Sequence, residues 1–251
     1  MKIKTTKTGK VKNANKNKSK EREEKINKLM ITDTHYLLIL DESGSMGKVK
    51  QQTLNGLNEQ IQTIKSLEIK YPTQKYFISI VKFNTEITPL IIDVPASEVK
   101  ELKNEDYNPN QKTSLHDAIG ISTSELKKRI QTKLDKGIAS AVIVIMTDGV
   151  DNDSKEYKAE DIKIIIDELN KTNLYTFSFI GSDQDTILTS KRYGISDTNT
   201  MTYTSDIIGT TDVFNKLNSA ISGRAYAMSI NNLSNVGYLS DLDKLDKNLK
   251  K

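Results

Sequence analysis

Apolar residues along this chain keep two different rhythms, and the alternation between them predicts its elements. The runs His35 to Leu40 and Ala139 to Met146 are short, nearly continuous and bounded by polar turns, as strands buried on both faces are. The first strand proper should be Tyr36 to Leu40. Leu54, Leu57, Ile61, Ile64 and Leu67 recur every three or four residues, so a helix should start near Lys48 and stop at Tyr71-Pro72. Tyr76 to Phe83 and Ile87 to Val94 read as strands joined by Asn84-Thr85-Glu86, too short a link for a crossover, so this pair should be antiparallel. Pro89 and Pro95 lack the amide a central strand must donate, which puts the second of the pair at a sheet edge. Glu98 to Gln111, with Asn104, Asn108, Pro109 and Asn110, reads as loop. Helices are expected from Ser114 to about Leu134, Ala159 to Leu169, Thr186 to Tyr193 and Thr211 to Ile221, and strands at Leu174 to Ile180 and Thr200 to Tyr203.

Strands that alternate with helices call for a sheet covered on both faces. The expected fold class is therefore α/β, a doubly wound, mostly parallel six-stranded sheet with one antiparallel edge strand and helices on both faces. This domain should occupy residues 30–225. Residues 1–29 form a basic arm whose first twenty positions hold too few apolar side chains to offset ordering entropy, and disorder is expected there. Glu21 to Met30 would become helical only against a docking surface. In the tail, residues 226–251, Leu239, Leu242, Leu245 and Leu249 make one narrow helical stripe, read as a frayed helix lying on its own domain.

Composition narrows the class. With 251 residues there is room for one such domain and its tails. No stretch approaches the ~18–20 apolar residues of a membrane span, and the N-terminus has no apolar core for a secretory signal. A soluble, cytoplasmic protein is therefore expected, and the absence of Cys agrees with a chain that relies on no disulfides. The net charge of +4 hides an asymmetry: the arm carries eleven Lys or Arg against three Glu, whereas the remainder is slightly acidic. Such an arm can be a solvated leader or can bind nucleic acid.

Candidate chemistry sits at the element ends. Asp41-Glu42-Ser43-Gly44-Ser45 follows the first buried strand, Asp148 follows the strand ending at Met146, and Thr113 opens a helix. Carboxylate and hydroxyl oxygens without nearby Cys or His suit a hard divalent cation, Mg²⁺ first and Mn²⁺ as the alternative. Gly44-Ser45-Met46-Gly47-Lys48 is no phosphate loop, because its glycines are too close and Val49 stands where Ser or Thr is needed.

This split pattern resembles the von Willebrand factor type A family and its metal-ion-dependent adhesion site, over roughly residues 32–225. Its wording, Asp-Glu-Ser-Gly-Ser-Met with a later Thr147-Asp148-Gly149, looks most like the intracellular bacterial and viral branches. The resemblance implies that Ser43, Ser45 and Thr113 touch the metal, that Asp41 and Asp148 hold it directly or through water, and that the strand order is 3-2-1-4-5-6. It also implies a non-enzymatic module whose cation takes a carboxylate from a protein partner's Asp or Glu, with AAA+ ATPases or stress-resistance complexes as the kind of assembly. Glu42, Met46, Ser114, His116 and Asp151 would form the partner-binding rim. Two other readings remain, a nucleic-acid-associated protein acting through residues 1–29 and a metal-dependent hydrolase using Ser43 or Ser45, His116 and Asp148. Taken singly, Asp117 reads as a first-turn helix acid, Asp151-Asn152-Asp153 as a solvated turn, Glu42 as a solvent-facing loop residue and His35 as a strand-edge residue.

Overall fold

The computed structural model describes residues 32–182, 185–230 and 239. The basic arm, with its expected helix at Glu21 to Met30, and the tail beyond Leu239 lie outside the described residues. Leu239 itself is buried in the core.

Six strands form one sheet in the order β3-β2-β1-β4-β5-β6. They are β1 (Asp33–Asp41), β2 (Lys75–Phe83), β3 (Ile87–Pro95), β4 (Ala139–Thr147), β5 (Tyr175–Gly181) and β6 (Thr200–Thr202). All neighbours run parallel except β2 and β3, which pair antiparallel across their short turn. The helices are α1 (Lys50–Lys70), α2 (Leu115–Asp135), α3 (Ala159–Asn170), α4 (Asp185–Arg192) and α5 (Ile207–Ser229). Period-two alternation along the strands divides their apolar side chains between two cores. Tyr36, Leu38, Leu40, Val142 and Val144 face α1 and α5, whereas Leu37, Ile39, Ile143 and Ile145 face α2 and α3. Both faces of β1 and β4 are covered, which is why these strands read as continuous apolar runs.

The expected fold class and strand order are those observed. The differences lie where polar residues are buried by tertiary partners. β1 starts three residues before Tyr36, because Asp33 is paired with Lys133 at 2.8 Å and Thr34 donates to the Met228 sulfur. His35 is an interior residue, 1% exposed, stacked on Phe77 at 4.6 Å and joined to Asp93 at 2.5 Å. Helix α5 is longer than its apolar pattern implied at both ends. It begins at Ile207, where the Asp206 carboxylate accepts from the Gly209 amide at 2.8 Å, and it runs through residue 225, where the domain was expected to close.

The site's location follows from chain direction. β1 and β4 lie side by side, with Leu40 opposite Met146, and the chain leaves them toward opposite faces of the sheet. That divergence opens a crevice beyond the carboxyl ends of the strands.

Candidate metal centre

Asp41 is the last residue of β1 and is 0% exposed. Its two carboxylate oxygens are separately engaged, one accepting the Ser43 amide at 2.7 Å and the other the Thr147 hydroxyl at 2.6 Å. Tyr107 donates to its carbonyl at 2.7 Å. From there a chain of oxygens crosses the crevice. The Ser43 and Ser45 hydroxyls are 3.1 Å apart, Ser45 donates to Asp148 Oδ1 at 2.5 Å, and Ser205 donates to Asp148 Oδ2 at 3.3 Å. Four of the five expected ligands are thus joined in one hydrogen-bonded set.

Thr113, the fifth, is 4% exposed and enters on a loop fastened to the same turn. Asn110 donates to the Glu42 carbonyl at 2.8 Å, and the Gly44 amide donates to Gln111 O at 3.2 Å. From the other side Asn152 grips the Thr113 backbone, its Oδ1 accepting the Thr113 amide at 2.9 Å and its own amide donating to the Thr113 carbonyl at 3.0 Å. Residues 151–153 are therefore more than a solvated turn, although Asn152 itself stays exposed. They hold the threonine loop against β4, and Asp151 also accepts the His116 amide at 3.1 Å.

Burial holds the Asp41 carboxyl above the usual range; hydrogen bonds from Thr147 and Ser43 pull it down, and the charge of Asp148 pushes it up again. Among the described residues no basic side chain pairs with Asp41 or Asp148, and the lysine at the end of β2, Lys82, is paired with Glu42. Two neighbouring carboxylates, one of them fully buried, thus lack a counter-ion. The donor set fits a hard dication: two carboxylates with three hydroxyls, and no sulfur or imidazole. Among the described residues there is no cluster of three His, Cys, Asp or Glu that would hold a metal by those groups alone.

The rim needs correction. Glu42 is 6% exposed, because its Oε1 accepts Lys82 at 2.9 Å and the Asn108 amide at 2.5 Å, so it is an internal anchor and not a solvent-facing residue. Met46 is 0% exposed and packs in the core, with Tyr203 OH 3.9 Å from its sulfur. Ser114, at 2%, is held through its amide by Asn84 O at 2.8 Å. None of the three presents a side chain to a partner. His116 and Asp151 are half-buried and joined to each other at 3.1 Å. The imidazole meets Asp151 and the edge of Tyr193, so the Ser-His-Asp relay considered above is not assembled here. Asp117 does sit in the first turn of α2, but its carboxylate accepts the amides of Lys155, Glu156 and Tyr157 at 2.7–2.9 Å.

Sequence reasoning passed over Thr147 and Ser205. Thr147 adjoins Asp148 in Thr-Asp-Gly and could have been flagged as a hydroxyl at a strand end. Ser205, 57 residues from Asp148, carries no local mark.

The profile of the von Willebrand factor type A domain matches residues 37–218. No curated relative matches the chain. Among solved structures, the chain is similar to a von Willebrand factor type A protein from Catenulispora acidiphila, with TM-score 0.53 and 12% identity over 76% of this chain and 43% of that one. It is also similar to the vWF domain of the type V pili tip protein Mfa5 from Porphyromonas gingivalis, with TM-score 0.52 and 11% identity over 80% and 96%. A third is proximal thread matrix protein 1 from the mussel byssus with a zinc-occupied MIDAS motif, with TM-score 0.51 and 13% identity. This chain spans about half of the mussel protein, 47% of its length.

Proposed function

We propose that this chain, which belongs to the von Willebrand factor type A domain family, binds a divalent cation between Asp41, Ser43, Ser45, Thr113 and Asp148 and through it a carboxylate of a protein partner. The observation that carries this reading is the hydrogen-bonded set running from Asp41 through Ser43 and Ser45 to Asp148 without a cationic side chain. When bound, the cation supplies a Lewis-acidic position for an external oxygen. The chain's own residues then have distinct tasks. Thr147 and the Ser43 amide orient Asp41, Ser205 orients Asp148, and Asn152 fixes the backbone that carries Thr113.

Mg²⁺ is the cation we assign, because neutral hydroxyls beside two carboxylates leave room for the waters it prefers to keep. The mussel protein's MIDAS motif holds zinc, so the choice calls for a metal series and not one titration. A binding role without catalysis fits a site in which the Ser45 hydroxyl donates to Asp148 while the His116 imidazole is engaged by Asp151. Partners inside a larger assembly, AAA+ ATPases among them, belong to the same proposal.

Calorimetry on the full chain with Mg²⁺, Mn²⁺ and Zn²⁺ tests the metal step. One site is expected, lost in Asp41→Ala and Asp148→Ala and weakened less by Ser45→Ala, which removes a neutral oxygen. Unchanged titrations in both aspartate variants would end the assignment. Capture of partners with and without EDTA tests the second step, with Thr113→Ala expected to reproduce the effect of chelation.

A further inference from the structure

Nine large hydrophobic side chains are exposed among the described residues, and five of them, Val150, Ile187, Leu188, Ile207 and Ile208, follow the carboxyl ends of β4, β5 and β6. The other four are scattered over α1, β3, α3 and the residue after α5. Such a concentration at one end of a sheet is unlike the single exposed apolar residues that any surface carries.

The strand register puts these loops beside the metal centre. Thr147, Gly181 and Thr202 lie abreast in neighbouring strands, so the chain leaves β4, β5 and β6 at the end of the sheet where Asp41 and Asp148 lie. Val150 is two residues past Asp148. Ile207 and Ile208 follow Ser205, whose hydroxyl reaches Asp148, and Tyr203 of the same loop contacts Met46 under the serine turn. The Ser182 hydroxyl ties the end of β5 to the Asp148 carbonyl at 2.9 Å.

The fold does not require this apolar surface. Ile207 and Ile208 are 60% and 81% exposed at the first two positions of α5, where the Asp206 cap does the work of starting the helix. On the β1–β2 side the crevice is bordered instead by Asn84, Thr85, Asn108, Asn110 and Gln111. One side of the site is amide-rich, and the other carries exposed aliphatic side chains, with Asp206 beside Ile207.

Resting on the metal–carboxylate reading above, we infer that the partner is a protein segment whose acidic residue is flanked by bulky aliphatic or aromatic side chains, which seat on Val150, Ile207 and Ile208. The dication selects the carboxylate but cannot tell one acidic residue from another. Apolar contacts continuous with it supply that distinction, as desolvated anchors do in protein interfaces. The asymmetry of the rim also sets direction, with the apolar residues of the partner over β4–β6 and its polar flank over the amides.

The test is selection of displayed random peptides on the full-length protein in saturating Mg²⁺, with elution by EDTA. Eluted sequences should place Leu, Ile, Phe or Met within about three positions of an Asp or Glu. A synthetic peptide of that type should bind about tenfold or more weakly to the Ile207→Ser/Ile208→Ser double variant, whose Mg²⁺ titration should match the parent. Metal-dependent acidic peptides without apolar preference, or equal affinity for the double variant, would overturn this inference and leave the metal reading intact. Peptides retained equally in EDTA would overturn the metal reading and this inference with it. Self-association by sedimentation, abolished in the double variant, would make the patch a contact between copies of this chain and overturn the partner assigned here.

Discussion

Glu42 is the residue whose role depends most on its surroundings. Beside Asp41 it could have added charge to the crevice, yet it turns inward and joins β1, Lys82 of β2 and the backbone of Asn108. Breaking a buried pair by removing one partner costs about 3–5 kcal/mol, far more than the pair's net worth against apolar replacements. Glu42→Ala should therefore lower unfolding free energy by roughly that amount in urea titrations, and joint Glu42→Met with Lys82→Met should recover most of it. Equal losses in the single and double variants would show that the Asn108 contact, and not the ion pair, is what matters. Because the same carboxylate anchors the loop that delivers Thr113, Glu42→Ala should also weaken Mg²⁺ binding without touching a ligand.

Between elements, the contact between α1 and α5 depends on a missing side chain. A Cβ on Gly56 would lie 2.2 Å from the Phe214 ring, far inside the contact distance of non-bonded carbons, so the ring or a helix would have to shift. Gly56→Ala gains up to about 1 kcal/mol in helix propensity, but overpacking costs about 1–3 kcal/mol, and net destabilisation is the expected result in thermal melts. A stabilised variant would mean that the helices can separate freely. On the other face Asp117 binds three successive amides before α3, so Asp117→Ala leaves several donors without an acceptor. That should cost about 1–3 kcal/mol or more by denaturant titration. The chain segment carrying Asp151 and Asn152 should lose order with it, seen as faster amide exchange at Thr113 and His116. Asparagine at this position, which keeps an acceptor oxygen, should retain part of the stability.

At the scale of the whole molecule, the residues proposed to hold the metal all lie at the carboxyl-end loops of the sheet. Deleting residues 1–29 should leave the Mg²⁺ titration and the thermal transition nearly unchanged, because the arm offers few apolar residues for burial. If the arm binds nucleic acid, that binding should fall steeply with salt and persist in Asp41→Ala, since counterion release follows phosphate contacts and not the metal site. Metal affinity lost on deletion would show the arm to be part of the domain.

Much of this molecule was legible in its sequence because local physics determines it. The buried runs of β1 and β4, the helical spacing in α1, the proline-marked edge of β3 and the placing of carboxylate and hydroxyl residues at three element ends all follow from period, side-chain type and turn chemistry, which act over a few residues. Tertiary structure decided what depends on neighbours distant in the chain. It buried Asp33 and His35 inside β1 by giving them Lys133 and Asp93, turned Glu42 toward Lys82, and brought Ser205 to Asp148. It also tied the turn at residues 151–153 to the Thr113 backbone through Asn152, and lengthened α5 past the point where its own apolar pattern fades. A polar side chain in sequence is compatible with solvent or with a buried partner, and the free energy that chooses between them resides in the partner.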